Sequence, residues 1–204
     1  AELLDAPAVL AGHSRLLFDC NRQPGNPMAT PAISDGVMVP GNQDLDDEEI
    51  ARRQKLYFDP YHAAIEQHLN AFAARDVIPA LISMHSFTPV MDGFERPWHA
   101  GLLTNKDERL VAGLLAALNA HHGVVADQNV PYSGDDPSGY TIHVHGEERG
   151  VPCVAVEIRQ DLIDTHHGAQ TWAGMMSGAI GETLKAARPF SLQPVTEWRG
   201  AIEA

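Results

Sequence analysis

The sequence predicts an α/β fold, a three-layer αβα sandwich around a mostly parallel, mixed central sheet. Short apolar runs alternate with longer stretches of helical periodicity, as in folds built from strand and helix units. Two runs, around Ile82 and Val154, are continuously apolar, which is typical of strands buried on both faces of a parallel sheet. The 204 residues contain no repeat or low-complexity linker, so we expect a single domain over residues 1–204.

Elements in the first half of the chain follow from apolar runs, turn residues and capping residues. Pro7–Leu10 and Leu16–Phe18 are short apolar runs that predict strands. A loop rich in Gly, Pro and Asn follows at Gln23–Asn42, and loops of this length are often functional. Asp46 has the spacing of a capping box and predicts a helix start, and Pro60 then restarts or kinks the helix.

The second half of the chain alternates strands and helices more regularly. Apolar runs predict strands at Ala80–Met84, Leu102–Leu103, Val124–Ala126 and Pro152–Val156, and helical spacing predicts helices at Lys106–Asn119 and Asp164–Ala187. Residues 128–139 are predicted as a second long loop, and residues 140–148 are ambiguous between strand and helix. We expect that either long loop closes over a site.

Composition favours a small-molecule partner. The formal net charge is −13, without basic runs, so neither nucleic acid nor an anionic membrane is expected to bind. Cys20 and Cys153 lack the spacing of a zinc site or a disulfide framework, and we expect reduced thiols. No apolar stretch approaches the ~20 residues of a membrane span, and no signal peptide is recognisable, which favours a cytoplasmic protein.

Three polar clusters follow predicted strands, where ligands collect in open α/β sheets. In the first cluster, Arg15, Asn21 and Arg22 could bind a carboxylate through forked hydrogen bonds, and the alternative is surface arginines beside a turn-forming asparagine. In the second, His85 leaves a strand expected to be central and is a candidate zinc ligand, the alternative being a structural histidine. In the third, Glu157 is a candidate general base, the alternative being a salt bridge with Arg159 or a more distant partner.

The roles of three further histidines stay open. His62 follows Pro60 and could pack a helix against the site or line the site. His143 and His145 have the alternate spacing that would direct both rings to one face of a strand. In that polar stretch, hydrogen bonding or substrate contact is the stronger expectation than metal ligation.

Taken in order, these clusters resemble zinc carboxypeptidases and, within that group, the N-formylglutamate amidohydrolase family. The matching segments are Ser14–Arg22 with its D-x-N-R motif, Pro60-Tyr61-His62, His85-Ser86 and Glu157–Leu162. The resemblance covers about Leu10 to Ala187 and is carried by four motifs in the same order. With it, the expected sandwich is phosphorylase/hydrolase-like.

The resemblance implies a zinc-dependent amidohydrolase that cleaves N-formyl-L-glutamate to formate and L-glutamate. One Zn²⁺ ion per chain, held partly by His85, would activate water, and Glu157 would accept its proton and pass it to the leaving amine. Asn21 and Arg22 would hold a substrate carboxylate, with Arg15 as a second clamp. Two alternatives stay open: a carboxypeptidase-like or other N-acyl amino acid deacylase, and a non-catalytic domain that binds an acidic metabolite.

One departure concerns the metal. Such families take their first ligands from an H-x-x-[EN]-like segment, and none precedes Ser14 here. Three explanations stay open: the chain lacks an N-terminal strand and helix, other residues supply the ligands, or the metal has been lost. Residues 1–4 have the pattern of the last turn of a helix, which favours the first. Catalytic zinc usually takes three protein ligands.

Overall fold

The computed structural model describes residues 1–133, 139–187 and 190. The chain divides into two compact units. The helical unit comprises residues 7–77 and 138–141, and the sheet unit comprises residues 1–6, 78–137 and 142–204. The expectation of a single domain stays a prediction. Among the described helices, none is both long and apolar enough to span a membrane.

The helical unit contains two helices joined by a π-helical turn. Helix α1 covers Asp47–Arg53, the turn covers Gln54–Phe58, and α2 covers Asp59–Ala73 with Pro60 in its first turn. The predicted capping start is confirmed, because the Asp46 carboxylate accepts a hydrogen bond of 2.8 Å from the amide of Glu49. Pro60 fits there because a first-turn amide needs no helical partner.

The strands predicted at Pro7–Leu10 and Leu16–Phe18 are wrong. Both segments are irregular, and the second contains a turn in which the amide of Leu17 donates to the carbonyl of Ser14 at 2.9 Å. Phe18 is nevertheless fully buried, against Ala29 and Phe58. Its apolar run therefore serves a local core, which a strand pattern cannot distinguish from burial through a turn.

The long loop at Gln23–Asn42 carries a short hairpin and is anchored at its end. Strand β1 covers Ile33–Ser34 and pairs antiparallel with β2 at Val37–Met38. The buried side-chain NH₂ group of Asn42 donates to the backbone carbonyls of Leu16 and Pro31. The other predicted loop, residues 128–139, lies partly outside the described residues, and closure by either loop stays a prediction.

The sheet unit confirms the α/β class with a mixed sheet. Its main sheet has the order β3-β8-β6-β7, with β3 at Leu81–Phe87, β6 at Ala100–Leu103, β7 at Ala126–Gln128 and β8 at Cys153–Arg159. Strands β3 and β8 are parallel, as are β6 and β7, whereas β6 and β8 are antiparallel. A separate hairpin pairs β4 at Val90–Met91 with β5 at Phe94–Glu95. The expectation that His85 leaves a central strand is wrong: within the described sheet β3 is at an edge and β8 is central.

Elements pack on both faces of the central strand β8 of the main sheet. Helices α3 (Val111–Asn119) and α4 (His166–Ala187) pack on the face formed by Val154, Val156 and Ile158. Alternate residues of β8 point to the other face, where Cys153 and Ala155 pack against a π-helical segment at Ile142–Glu147. That segment was ambiguous in the sequence. Glu157 follows Cys153 and Ala155 in this alternation, so it lies on the face opposite α3 and α4.

Candidate functional site

The sheet unit places His85 beside Glu157. The two residues are register partners on the parallel strands β3 and β8, which lie about 4.8 Å apart in a sheet. Both are near the carboxyl ends of their strands, on the face that carries Ser83 and Ala155. Glu157 is only 8% exposed, and His85 is half-buried. A buried carboxylate beside an imidazole is an arrangement suited to proton transfer.

Ser83 orients the His85 ring. Its hydroxyl lies 2.9 Å from Nε2 of His85, and the two side chains share a face because they are two residues apart on β3. Ser83 is itself buried. The hydrogen bond restricts rotation of the imidazole, and no motif in the sequence points to Ser83.

Gly101 borders Glu157 on the other side. It is the register partner of Glu157 on β6, and a Cβ atom built on it would lie 1.6 Å from the carbonyl oxygen of Val130. Only glycine therefore allows the loop after β7 to approach the strand at this point. The backbone of Val130 closes the surroundings of Glu157 on the β6 side.

Glu157 does not form the salt bridge with Arg159 that the sequence left open. The Arg159 guanidinium instead holds Asp161 through Nε and Nη2 at 2.8 and 3.2 Å, and these hydrogen bonds lower the pKa of Asp161. Nη1 of Arg159 donates to the carbonyls of Arg96 and Trp98. Arg159 therefore fixes the segment after β5 instead of neutralising Glu157.

The helical unit places Arg15, Asn21 and Arg22 around Asp19. The buried Asp19 carboxylate accepts from Arg15 at 2.5 Å and from the amide of Asn21 at 2.9 Å, and lies 3.9 Å from Nε of Arg22. Within the described residues, Nε of Arg22 has no hydrogen-bond partner. Two guanidinium groups share one carboxylate, so the cluster keeps one net positive charge. Asp19 belongs to the D-x-N-R motif, but the motif alone does not indicate that its carboxylate holds the two arginines.

Asn21 also has a structural task. Its side-chain oxygen accepts from the amide of Thr141 at 2.9 Å, and its carbonyl accepts from the amide of Tyr140. The side-chain NH₂ group is the part of Asn21 that can donate to a ligand.

His62 is buried within the helical unit, where its ring packs α2 against neighbouring residues. Its Nε2 donates to the carbonyl of Cys20 at 2.8 Å, and its ring contacts Phe58 and Tyr140. Burial lowers the pKa of His62. Burial and the nearby Asp19 raise the pKa of the free thiol of Cys20 to about 11, so this cysteine is protonated at neutral pH.

His143 and His145 do not lie on a strand, so the strand-face expectation is wrong. Both belong to the π-helical segment at Ile142–Glu147. Nδ1 of His143 lies 3.5 Å from Glu147, and its Nε2 lies 3.3 Å from Glu148. The strand alternation expected for the two histidines does not apply because the segment packs closely on β8. A Cβ built on Gly146 would lie 2.4 Å from the sulfur of Cys153, and this close approach favours a compact segment.

Comparison with known proteins identifies the family. A family model described as N-formylglutamate amidohydrolase matches residues 1–164. The chain belongs to the N-formylglutamate amidohydrolase family. The resemblance of the motifs to this amidohydrolase family is thus confirmed, and the matched range contains all five predicted site residues.

Two solved structures support the family fold. The gene product Atu2144 from Agrobacterium tumefaciens is 32% identical, with a TM-score of 0.79 over 84% of this chain and 68% of that chain. An N-formylglutamate amidohydrolase from Ralstonia eutropha JMP134 is 20% identical, with a TM-score of 0.52 over 85% of this chain and 72% of that chain, and supports the fold alone. A search of curated proteins finds no match.

The amidohydrolase family member does not bring three metal ligands together in its described residues. Over residues 1–133, 139–187 and 190, no group of three His, Cys, Asp or Glu side chains is arranged to hold a metal ion. The five predicted residues instead form two sets: His85 with Glu157 in the sheet unit, and Arg15, Asn21 and Arg22 in the helical unit.

Proposed function

We propose that this chain hydrolyses the formamide bond of N-formyl-L-glutamate, releasing formate and L-glutamate. The observation that carries the proposal is the register pairing of Glu157 with His85 at the carboxyl ends of β3 and β8, inside the range matched by the family model. A buried carboxylate at this edge of a sheet is the general base that amide hydrolysis needs.

Glu157 is the proton carrier in this proposal. It accepts a proton from the water whose oxygen attacks the formyl carbon. The carbon–nitrogen bond then breaks, and Glu157 returns the proton to the departing amine nitrogen, so that one water is consumed for each formate and glutamate released. The hydrogen bond between Ser83 and His85 keeps the imidazole oriented beside this carboxylate during both transfers.

The Asp19 cluster is proposed to bind a substrate carboxylate. Arg15, Arg22 and the NH₂ group of Asn21 supply donors, and the net positive charge of the cluster favours an anion. Screening over about 8 Å at physiological salt lets this local charge act despite the acidic chain. A small anionic metabolite in the cytoplasm, not nucleic acid or a membrane, is the proposed partner.

Zinc stays a proposal, with His85 as one ligand. The described residues do not fit a catalytic zinc site by themselves, because such a site usually takes three protein ligands and no such group is present in the described ranges. Elemental analysis of the wild-type chain and of His85→Ala tests the ligand: about one zinc per chain, lost in the variant, supports it, and equal zinc in both contradicts it.

A substrate panel tests the function and separates its alternatives. We expect turnover of N-formyl-L-glutamate to exceed that of N-acetyl-L-glutamate, because only a formyl group leaves the carbonyl carbon unhindered. Faster turnover of the acetyl compound would favour a different deacylase. Binding of L-glutamate without hydrolysis of any N-acyl compound would favour the non-catalytic binding domain.

A further inference from the structure

Arg96 is a buried cation that no carboxylate neutralises in the described part of the chain. It follows β5 in the sheet unit and is 7% exposed. Its Nη1 donates to the carbonyl and hydroxyl of Thr88 and to the hydroxyl of Tyr132, at 3.2 to 3.3 Å. Among the described residues, its Nη2 donates only to the sulfur of Met91, which is a weak acceptor. Burying an arginine charge with only neutral partners is costly, so the site requires an explanation.

The open side of Arg96 is the side that other arginines of this chain use for carboxylates. Arg52, Arg109 and Arg159 each hold an acidic side chain side-on through Nε and Nη2 together. For Arg96, Nε has no hydrogen-bond partner within residues 1–133, 139–187 and 190. The same forked edge is therefore available for a carboxylate that the described chain does not supply.

The surroundings of Arg96 hold the guanidinium in one place. Its Cζ lies 4.9 Å from the ring centroid of Tyr132 and 5.8 Å from that of Phe87, both within the range of cation–π attraction. Its carbonyl accepts from Nη1 of Arg159, and its amide donates to the carbonyl of Pro89. Such fixation reduces the entropy lost when a ligand binds.

Arg96 also lies against the end of the strand that carries His85. Phe87 lies two residues after His85 on β3, so both side chains point to the same face, and it is the register partner of Arg159, two residues after Glu157. A carboxylate bound at Arg96 would thus be held at the end of the two strands that carry His85 and Glu157.

We propose that Arg96 binds the side-chain carboxylate of the N-acyl glutamate substrate and thereby selects for glutamate. This inference rests on the proposed function. The substrate has two carboxylates. The Nε and Nη2 edge of Arg96 matches the carboxylate of the side chain, which is the one that distinguishes glutamate from other amino acids. Arg96 is in this account a specificity-determining residue.

The test compares N-formyl-L-glutamate with N-formyl-L-glutamine, which replaces that carboxylate with an uncharged group of the same shape. Wild-type kcat/KM should favour the glutamate compound by about tenfold to a hundredfold, the range of a hydrogen bond to a charged group. Arg96→Met should abolish this preference by slowing only the glutamate compound. Arg96→Lys keeps the charge but loses the fork, and should keep only part of the preference.

Arg52→Met is the matched control, because it removes the same charge from an exposed ion pair with Glu49. It should leave both rates unchanged. If Arg96→Met slows both compounds equally, Arg96 only supports the fold near the site and the proposal is overturned. If Arg96→Met does not fold, the ratio of kcat/KM for the two compounds in Arg96→Lys decides. A reduced preference for the glutamate compound supports the proposal, and an unchanged preference overturns it.

Calorimetric binding of L-glutamate and L-glutamine separates this inference from the proposed function. If the wild-type chain hydrolyses neither formyl compound, the proposed function fails. The carboxylate-binding role of Arg96 is still supported if Arg96→Met lowers the affinity for L-glutamate and leaves that for L-glutamine unchanged. If Arg96→Met does not fold, the same comparison is made with Arg96→Lys. Equal affinity of wild type and variant for L-glutamate, or no measurable binding to wild type, overturns the assignment of Arg96.

Discussion

Replacing Gly101 with alanine should disturb the surroundings of Glu157 from the β6 side. A Cβ at this position would lie 1.6 Å from the carbonyl oxygen of Val130 and 2.8 Å from its carbonyl carbon. Contacts of a Cβ under 3.0 Å essentially never occur, so the loop or the strand must move by about 1.4 Å. Both atoms belong to the backbone, so no side-chain rotation relieves the overlap.

The expected cost is that of overpacking a well-packed site, about 1 to 3 kcal/mol. For a protein of this size, each kcal/mol shifts the unfolding midpoint by roughly 2 to 4 °C. Gly174→Ala is the control, because its Cβ would meet nothing within 4 Å on the exposed side of α4. Alanine in a helix is favoured over glycine by about 0.5 to 1 kcal/mol, so this variant should gain stability.

Thermal unfolding followed by circular dichroism measures both variants under the same conditions. We expect opposite signs: a lower midpoint for Gly101→Ala and a slightly higher midpoint for Gly174→Ala. Formate release by Gly101→Ala, measured well below its midpoint, should also fall because its register partner is Glu157. A Gly101→Ala variant as stable and as active as wild type would refute the close approach of Val130 to β6.

Three further predictions concern catalysis, pH and capping. Glu157→Gln keeps the shape of the side chain but cannot accept a proton, so kcat should fall by about a hundredfold to ten-thousandfold while L-glutamate still binds; an unchanged kcat would exclude Glu157 as the base. Burial lowers the pKa of His62, so on acidification the unfolded chain takes up this proton first and stability falls below the usual histidine pKa of about 6.5. Urea unfolding at about pH 7.5 and about pH 5.5 should show that the free energy of unfolding falls less on acidification for His62→Gln than for wild type. Equal decreases in both proteins would mean that His62 does not cause the loss of stability at acidic pH. Asp46→Ala should lower stability by about 1 kcal/mol through loss of the α1 cap, and Asp46→Asn should lower it less; equal effects would mean that the cap hydrogen bond does not contribute.

The two continuously apolar runs were predictable as strands, but only one of these strands is buried on both faces. The run around Val154 became the buried strand β8, whereas the run around Ile82 became the edge strand β3, in which Met84 is 49% exposed. The same argument placed His85 and Glu157 at strand ends. Their adjacency depends on the pairing of β3 with β8, which residue patterns do not specify.

Other features depend on contacts between distant residues. Phe18 lies in an apolar run but is buried through a turn against Phe58, so its pattern imitates a strand. Asp19 organises two arginines that lie four residues before it and three residues after it, which only the loop geometry reveals. Arg96 lies in a segment without a recognisable motif, and its proposed role depends on the lack of a carboxylate partner among the residues that the structure describes.

Hydrolysis itself is the most direct measurement of the central claim. The purified chain is incubated with N-formyl-L-glutamate, and formate and L-glutamate are quantified together by proton NMR, beside Glu157→Gln. The account predicts that both products appear in equal amounts and in proportion to the wild-type chain, with little from the variant. Formate release by Glu157→Gln at the wild-type rate, or no formate from either protein, would contradict it.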